Sequence, residues 1–310
     1  MKILVTGALG FIGGSVARHA FERGHEVLGL ARPEDPAPQR APGFPITHLD
    51  GSASLASILA AHAPDAVLHA AGKASVGASM SAPGDDFEGS VLTFQALLEA
   101  VRASGLRPRV ILPSSAAVYG DPGALPVAED APAAPISPYG FHKRIAEILA
   151  DEYAACFGLD VVVARLFSVF GPAQRRLLLW EIYAQLAGPG DEAWLDGTGA
   201  ESRDFLPVSD VAEALIQLAD RPRRGRPRAA EILNVASGEE RTVLEIASAM
   251  RDLVAPHKRI ACRGHERPGD PKRWCADVTR LLDRAAPFRP RPFAEALRAC
   301  VEAWRADPLG

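Results

Sequence analysis

A glycine-rich turn at residues 6–14 reads Thr-Gly-Ala-Leu-Gly-Phe-Ile-Gly-Gly, between an apolar run at 2–6 and an amphipathic stretch at 11–23. Gly7 permits a tight turn, Gly10 lets the backbone approach a pyrophosphate, and Gly13 allows close packing of the following helix. Free N–H groups at the start of that helix favour an anion. Because the turn opens a strand–helix–strand unit, the pattern predicts a dinucleotide site. The predicted cofactor contacts are Gly7, Gly10, Phe11, Ile12 and Gly13.

Short apolar runs alternate with longer amphipathic stretches through the first half of the chain. The predicted strands are residues 2–6, 26–30, 66–70, 109–113 and 160–166, and the helices between them include 85–103 and 138–157. Strands that are apolar on both faces indicate a parallel sheet covered by helices on both sides. We therefore predict an α/β fold, a Rossmann-type doubly wound parallel sheet.

The regular alternation ends after Gly171-Pro172, where loops lengthen, although a helix at 208–219 and a strand at 232–235 indicate a return to the sheet. We expect residues 1–171 plus about 204–238 to form the dinucleotide-binding domain. Residues about 172–203 plus 239–310 would form a smaller, interleaved C-terminal substrate lobe. Thr242 and Glu245 have the spacing of a capping box, which predicts that a helix of this lobe begins there.

Composition excludes several classes of function. The 310 residues carry 34 basic and 38 acidic side chains, a net charge of -4, which lacks the basic excess of a nucleic-acid-binding protein. No apolar run approaches the roughly 18–20 residues of a membrane helix, and the apolar start is too short for a signal sequence. Four scattered cysteines without a C-x-x-C pair indicate neither disulfides nor a metal site. We expect a soluble, cytoplasmic protein without a metal.

The end of the second predicted strand bears on the choice of dinucleotide. An acidic side chain there accepts hydrogen bonds from the adenosine ribose, whereas a phosphate on that ribose requires a cation. Leu30 is followed by Ala31 and Arg32, so the acid is missing and a cation is present. This favours NADP(H), with NAD(H) as the alternative. Asp50, after a third strand that precedes the one at 66–70, is a candidate for contact with the adenine.

Tyr139 and Lys143 lie four residues apart at the start of a predicted helix, and therefore on one face. A positive charge beside a phenol lowers the pKa of the phenol. The pattern therefore predicts that Tyr139 can donate and accept a proton near neutral pH. Ser114 and Ser115 follow the strand at 109–113, so their hydroxyls should emerge at the same sheet edge as the glycine turn. His142, which lies between Tyr139 and Lys143 in the sequence, is expected to be a solvated helix residue.

In combination and order, these motifs resemble those of the extended short-chain dehydrogenases/reductases, and within them the nucleotide-sugar epimerases and dehydratases. The resemblance extends over nearly the whole chain, through the segments 7–13, 70–72, 114–120, 139–143, 165–172, 202–211 and 267–270. It implies that Tyr139 is the catalytic acid/base and that Lys143 holds the nicotinamide ribose. It also implies that Ser115 hydrogen-bonds the reacting oxygen of the sugar.

The resemblance further implies the residues that hold the two ligands. Additional cofactor contacts would be Ala70, Ala71, Gly72, Ser90 and Ser114. Substrate contacts would be Ser115, Ala116, Ser168, Arg203, Arg267 and Asp270. Two arginines suit a pyrophosphate, because their guanidinium groups form bidentate charge-assisted hydrogen bonds. The implied partner is a nucleotide-diphosphate sugar, and a homodimer through helices that include the Tyr139 helix is expected.

Departures from the family pattern bear on the reaction. Similar 4,6-dehydratases carry an Asp-Glu pair directly after the catalytic Ser or Thr, where this chain has Ala116 and Ala117, so dehydration is disfavoured. Ser90 and Ser168 stand where similar proteins usually have Asn. Hydride transfer at C4 of the sugar remains, and Arg32 favours a 4-keto-deoxysugar reductase that uses NADPH. The alternative is a 4-epimerase with tightly bound NAD, and a more remote one is a non-enzymatic dinucleotide sensor.

Overall fold

The computed structural model describes residues 1–32, 35, 43–49, 54–222, 228–265 and 272–307. Its strands, in chain order, are β1 (Lys2–Thr6), β2 (Glu26–Ala31), β3 (Ile46–His48), β4 (Ala66–His69), β5 (Arg109–Ser115), β6 (Asp160–Leu166), β7 (Ser168–Phe170), β8 (Glu192–Leu195), β9 (Ser202–Pro207), β10 (Glu231–Val235), β11 (Glu240–Thr242) and β12 (Arg259–Cys262). Its helices are α1 (Phe11–Glu22), α2 (Leu55–His62), α3 (Val76–Ser81), α4 (Pro83–Phe87), α5 (Thr93–Ser104), α6 (Pro138–Phe157), α7 (Leu177–Ala187), α8 (Val208–Asp220), α9 (Val243–Val254), α10 (Thr279–Arg284) and α11 (Phe293–Ala306).

The main sheet has seven strands in the order β3–β2–β1–β4–β5–β6–β10, and every neighbouring pair is parallel. Side chains of β1 alternate between two cores. Ile3 and Val5 pack on one face with α1 and α8, while Leu4 packs on the other with α2, α5 and α6. Since helices cover both faces and the strand order reverses direction between β1 and β4, the predicted Rossmann-type doubly wound fold is confirmed.

Two small sheets lie beyond the main one. One has the order β11–β9–β7, and the other pairs β8 with β12. A separate hydrophobic core joins α7, α9 and α11 to β8 and β9. Thr242 and Glu245 form the predicted capping box at the start of α9. The predicted division into lobes stays a prediction, and Leu281, Ala285 and Phe288, although assigned by it to the substrate lobe, pack in the core of the main sheet.

The helix predicted at 85–103 is interrupted. A π-helical turn, Glu88–Leu92, separates α4 from α5. The turn packs against the loop after β4, where the Ser90 hydroxyl accepts a hydrogen bond from the Lys73 backbone at 3.3 Å. Such turns widen a helix locally and are frequent at functional sites.

The structure also bears on membrane crossing. Among the residues that the structure describes, none of the helices combines the length and the hydrophobicity that crossing a bilayer would require.

Candidate active site

The carboxyl ends of the central strands carry the predicted site. Thr6 at the end of β1 is in register with His69 at the end of β4, and the Thr6 hydroxyl lies 2.9 Å from Nδ1 of His69. Burial lowers the pKa of His69 to about 3, so its ring is neutral, and its Nε2 is buried without a hydrogen bond among the described residues. The loops that follow β1 and β4 therefore begin at a buried hydrogen bond between two uncharged side chains.

Glycine is sterically required at two points of the turn after β1. A Cβ on Gly7, whose φ is +67°, would lie 2.7 Å from the Ala71 nitrogen, and one on Gly13 would lie 2.2 Å from the Gly7 oxygen. The turn, the 70–72 loop and the start of α1 thus pack backbone against backbone. A side chain at either glycine would separate these elements.

The start of α1 can bind an anion. Gly10 is its N-cap residue, so no side chain caps the helix, and its first turn contains no acidic residue. The N–H groups of Phe11, Ile12 and Gly13 have no acceptor within the helix, because the first turn of any α-helix leaves its N–H groups unpaired. The cradle of glycines and free N–H groups fits the pyrophosphate of a dinucleotide.

Arg32 follows β2, as predicted, but its charge is partnered. Its Nε and Nη2 donate to Oδ1 of Asp35 at 3.1 and 2.8 Å, and its backbone N–H donates to Oδ2 at 2.8 Å. Burial of Asp35 would raise the pKa of this carboxyl, yet the hydrogen bonds from Arg32 hold it below its ordinary value. A carboxylate therefore lies where the sequence predicted an unopposed cation. Asp50, the predicted adenine contact, lies outside the described residues.

Close packing of backbones brings the catalytic elements together. β5 extends through Ser115, two residues beyond its predicted end, and a 3₁₀ turn, Ala116–Val118, follows. A Cβ on Gly140, in the first turn of α6, would lie 2.5 Å from the Ala117 oxygen. The Ser137 hydroxyl caps α6 by accepting from the Gly140 N–H at 3.2 Å. The start of α6 is thereby pressed against the end of β5.

Tyr139 is placed by contacts on both its backbone and its side chain. Its N–H donates to the buried Ser79 hydroxyl at 3.1 Å, and its phenol is hydrogen-bonded to Ser115. Burial of the phenol raises the pKa of Tyr139 to about 12, the hydrogen bond from Ser115 lowers it, and the charge of Asp86 raises it. The predicted lowering of this pKa by Lys143 is wrong for this structure, because burial outweighs every other effect on the phenol.

Lys143 lies one helical turn beyond Tyr139, as its spacing predicts. Its Nζ is 5.6 Å from the centroid of the Tyr139 ring and donates to the Pro113 oxygen at 3.2 Å. Burial lowers the pKa of Lys143 to about 8, although Asp86 and Glu147 raise it. The lysine is therefore a cation at neutral pH, within about one pH unit of losing its proton.

His142 is not the solvated residue that the sequence indicated. Its side chain is 12% exposed, and its Nδ1 donates to Oδ2 of Asp86 at 2.6 Å, where Asp86 is 4% exposed. The ring of Phe87 contacts His142 edge-on. Asp86 is 56 positions away in the sequence, so no local pattern could have indicated the pair.

The structure places the remaining predicted cofactor residues near the same edge. Ser90 is buried in the π-helical turn, behind Gly72. Ser114 is buried, and its hydroxyl donates to Oε1 of Glu147 at 2.7 Å. Glu147 also accepts from Arg165 at 2.9 and 2.7 Å. The Ser114 hydroxyl is therefore committed to a buried ion pair under β5.

Ala116 and Ala117 follow Ser115 without offering any proton-transfer group. Ala116 is fully buried and Ala117 nearly so. Within the described ranges, no three His, Cys, Asp or Glu side chains gather as a metal ion would require. Ser115 and Tyr139 are the hydroxyl groups that the structure brings into contact at this edge of the sheet.

The predicted substrate residues Ser168 and Arg203 come from adjacent parallel strands. Ser168 of β7 is opposite Phe205 of β9, two residues after Arg203. The Arg203 guanidinium lies 5.4 Å from the ring centroid of Trp274, a residue that the sequence analysis missed. Trp274 is fixed by donating its Nε1 hydrogen to the Gly120 oxygen at 3.2 Å. Arg267 and Asp270 lie outside the described residues.

Comparison with known proteins bears on the whole chain. Residues 3–236 match the model of the NAD dependent epimerase/dehydratase family. The UDP-glucose 4-epimerase of Mycolicibacterium smegmatis is 31% identical over 316 residues, covering 98% of this chain and 99% of that protein.

Two solved structures share the fold over their full length. The UDP-N-acetylglucosamine 4-epimerase from Methanobrevibacter ruminantium M1, in complex with UDP-N-acetylmuramic acid, has a TM-score of 0.87 and 28% identity, with 98% of each chain covered. The UDP-glucose 4-epimerase of Thermus thermophilus, in complex with NAD, has a TM-score of 0.85 and 28% identity. The match covers 99% of this chain and 100% of the Thermus chain.

Proposed function

This chain belongs to the NAD dependent epimerase/dehydratase family, and we propose that it inverts C4 of a UDP-hexose with NAD as its bound cofactor. The observation that carries the proposal is the contact of Ser115 with Tyr139 beside Lys143, where the residues directly after Ser115 are alanines. C4 epimerisation needs only this set. The comparisons favour the epimerase over the predicted 4-keto-deoxysugar reductase, because relatives similar along the whole chain include 4-epimerases, beside dehydratases.

Dehydration is the other reaction in the family's description, and it would need more proton-transfer groups than the site offers. Ala116 and Ala117 present only buried methyl groups after Ser115. A methyl group neither donates nor accepts a proton, so elimination of water would lack its acid and its base.

NAD, rather than the predicted NADP(H), is proposed as the cofactor. The 2′-phosphate of NADP would meet the Asp35 carboxylate, which holds the Arg32 guanidinium through two hydrogen bonds. Like charges repel, and the phosphate would have to displace Asp35 to reach the cation. NAD is also the cofactor in the Thermus epimerase structure.

The catalytic residues of this chain move one proton at one oxygen. Bound NAD would supply the hydride acceptor and donor for C4. Tyr139, in its phenolate form, would take the proton of the 4-hydroxyl as the sugar is oxidised and return it as the sugar is reduced on its other face; burial of the phenol opposes this form, and the neighbouring cation of Lys143 favours it. Ser115 would hydrogen-bond the same oxygen, and its contact with the phenol lowers the pKa of Tyr139. Lys143, as a cation, would hold the ribose next to the nicotinamide.

The diphosphate of the substrate would lie on the small sheet formed by β11, β9 and β7. Arg203 and Ser168 come from adjacent strands of that sheet, and Trp274 supports the Arg203 guanidinium. The Arg203 guanidinium also donates to the Ser202 oxygen at 2.8 Å, so the indole and the backbone together orient a cation that suits phosphate oxygens.

We also propose a homodimer formed through α6. Phe141 and Ile148, seven residues apart on this helix, are 53% and 52% exposed, and Leu92 nearby is 49% exposed. Seven residues are two helical turns, so Phe141 and Ile148 share a face. Large apolar side chains exposed on one face of a helix are typical of an interface.

The test is conversion of substrate without net redox chemistry. The purified protein is incubated with UDP-glucose, UDP-galactose or UDP-N-acetylglucosamine, and the anomeric proton signals are followed by NMR. We expect interconversion of C4 epimers without added reductant and release of NAD on denaturation. Tyr139→Phe should lose at least about 10²-fold in turnover while retaining NAD.

Two outcomes would contradict the proposal. NADPH consumption with a 4-keto-6-deoxy nucleotide sugar, without interconversion of the UDP-hexoses, would establish the reductase. Cofactor binding without any turnover, unchanged in Tyr139→Phe, would indicate a dinucleotide sensor.

A further inference from the structure

A buried carboxylate lies beside the catalytic helix. Asp86 is on α4, which packs against α6, and the residue is 3% exposed. Oδ2 of Asp86 accepts the 2.6 Å hydrogen bond from His142, while Oδ1 is buried without a hydrogen bond among the described residues. A buried charged oxygen without a partner is costly, so its position requires support from nearby positive charge.

His142 shares a helix face with the catalytic pair. Residues three and four positions apart on a helix are neighbours, so Tyr139, His142 and Lys143 form one cluster. Asp86 is near enough to both catalytic residues that its negative charge raises the pKa of each. The pair of Asp86 and His142 therefore borders the site described above, although neither residue belongs to its assigned machinery.

The other charged groups near Lys143 are already neutralised. Glu147, one turn further along α6, accepts two hydrogen bonds from Arg165, one from Arg144 and one from Ser114. His69 of β4 faces Lys143 as a neutral ring. Lys143 itself donates to a backbone oxygen, and no carboxylate in the described part of the chain lies within ion-pair distance of it. Glu147, although paired, still favours the charged lysine, and Asp86 does so more strongly.

We propose that Asp86, held in place by His142, is a positioning residue that keeps Lys143 cationic in its buried site. The cation donates hydrogen bonds and attracts electron-rich oxygens, whereas the neutral amine would do both weakly. The consequence for turnover rests on the proposed function, since it assumes that Lys143 holds the nicotinamide ribose. The effect of Asp86 on the charge of Lys143 does not rest on the proposed function.

The direction of the pH effect follows from the charges. Burial lowers the pKa of Lys143 to about 8, and Asp86 opposes that lowering. A neutral asparagine at position 86 removes the opposition, so the lysine loses its proton at a lower pH. Turnover that needs the cation would fall as the pH rises through this pKa. The alkaline limit of activity would therefore move toward neutral pH.

The direct experiment is an NMR titration of the full-length protein labelled with ¹³C-lysine. The chain has five lysines, so the Lys143 signal can be assigned by its loss in Lys143→Arg. We expect Asp86→Asn to lower the pKa of Lys143 by about one unit or more. Asp86→Glu, which keeps the charge, should restore most of the parent value. Asp85→Asn, which removes the exposed neighbouring carboxylate, is the matched control and should leave the pKa unchanged.

Asp86→Asn leaves His142 with an altered partner and could fail to fold. In that event the double variant Asp86→Leu/His142→Leu is titrated, because replacing a buried ion pair by apolar residues is often tolerated. The double variant also removes the negative charge at position 86, so we expect the same lowering of the pKa of Lys143.

The two proposals fail in different ways. A pKa of Lys143 that is unchanged when the charge at position 86 is removed would overturn the inference, even in an active epimerase. A lowered pKa in a protein without epimerase activity would support the inference and overturn the proposed function. In an active enzyme, the alkaline limit of turnover should shift with the lysine pKa. A uniform loss at all pH values would mean that Asp86 has only a structural role.

Discussion

The charge state of a side chain depends on the groups around it, and three residues of the site show this. Arg32 is a cation after β2, but Asp35 holds its guanidinium. His142 is a polar residue of α6, but it is buried against Asp86. Tyr139 has the expected lysine one turn away, yet burial dominates the pKa of its phenol. In each case the side chain was identified correctly and its electrostatic state was not.

Asp35→Ala should shift cofactor preference toward NADP. Removing the carboxylate removes two hydrogen bonds that hold the Arg32 guanidinium and a negative charge that would repel a 2′-phosphate. Because both side chains are near solvent, we expect the ratio of the NADP and NAD dissociation constants to change by about tenfold, or about 1.4 kcal/mol. Fluorescence titration with both reduced nucleotides measures it. The double variant Asp35→Ala/Arg32→Ala should lose the gain, and a ratio unchanged in Asp35→Ala would contradict the role given to this pair.

Close contacts between elements decide how well the catalytic groups are aligned. Gly140 lets the first turn of α6 rest on the carbonyl of Ala117, directly after the strand that ends in Ser115. Gly13 does the same for α1 and the phosphate turn. The two glycines therefore have separate structural roles: Gly140 allows α6 to pack against the end of β5, and Gly13 allows α1 to pack against the turn after β1.

Gly140→Ala should impair turnover strongly, because it moves α6 relative to β5, while its effect on the free energy of unfolding should be small. The added methyl would lie 2.5 Å from the Ala117 oxygen, so the helix must move away from β5. A shift of about 1 Å between Ser115 and Tyr139 can cost about 10²-fold in rate. Steady-state kinetics measure the loss. Gly77→Ala on α3, where a Cβ would meet no atom within 4 Å, is the control, and equal losses in both variants would argue against this role for Gly140.

The ion pair of Glu147 and Arg165 joins α6 to the sheet from below the site. Both side chains are nearly fully buried and are linked by two hydrogen bonds. Glu147→Gln would leave the Arg165 charge buried without its counter-ion, so we expect a loss of about 3–5 kcal/mol in unfolding free energy. Urea denaturation measures it. Glu152→Gln, on the exposed face of the same helix, should change stability by less than about 0.5 kcal/mol.

At the scale of the whole molecule, α6 has two faces with different tasks. One face carries Tyr139 and Lys143, and the opposite side exposes Phe141 and Ile148. If the exposed face forms the proposed dimer, subunit contact also supports the helix that holds the catalytic residues. Assembly and activity would then be coupled through a single element.

Phe141→Glu should convert the protein to a monomer. A charge placed in an apolar interface must be desolvated without a partner, which costs several kcal/mol. Light scattering coupled to size-exclusion chromatography reports the mass. Leu244→Glu, which places the same charge at an exposed leucine of α9, is the matched control and should leave the oligomeric state unchanged. A parent protein that is already monomeric at micromolar concentration would refute the dimer.

Much of the architecture could be predicted because it depends on local sequence. The parallel strands follow from apolar runs, α6 begins at Pro138 as its Ser-Pro start indicates, and the capping box at Thr242 opens α9. The π-helical turn Glu88–Leu92 could not be predicted, since its residues resemble those of an ordinary helix. It arises where the helix meets the loop after β4, and that contact exists only in the folded chain.

Local sequence patterns were enough to predict the family, the sheet with its glycine turn, and the pairing of Tyr139 with Lys143. Those features depend on strand periodicity, on the absence of a Cβ, and on helical spacing, all of which can be read over a few residues. Folding is what brings Asp35 to Arg32, buries Asp86 against His142, and lets burial dominate the pKa values of Tyr139 and Lys143. A charge responds to every group around it and to the loss of water, and most of those groups come from distant parts of the chain.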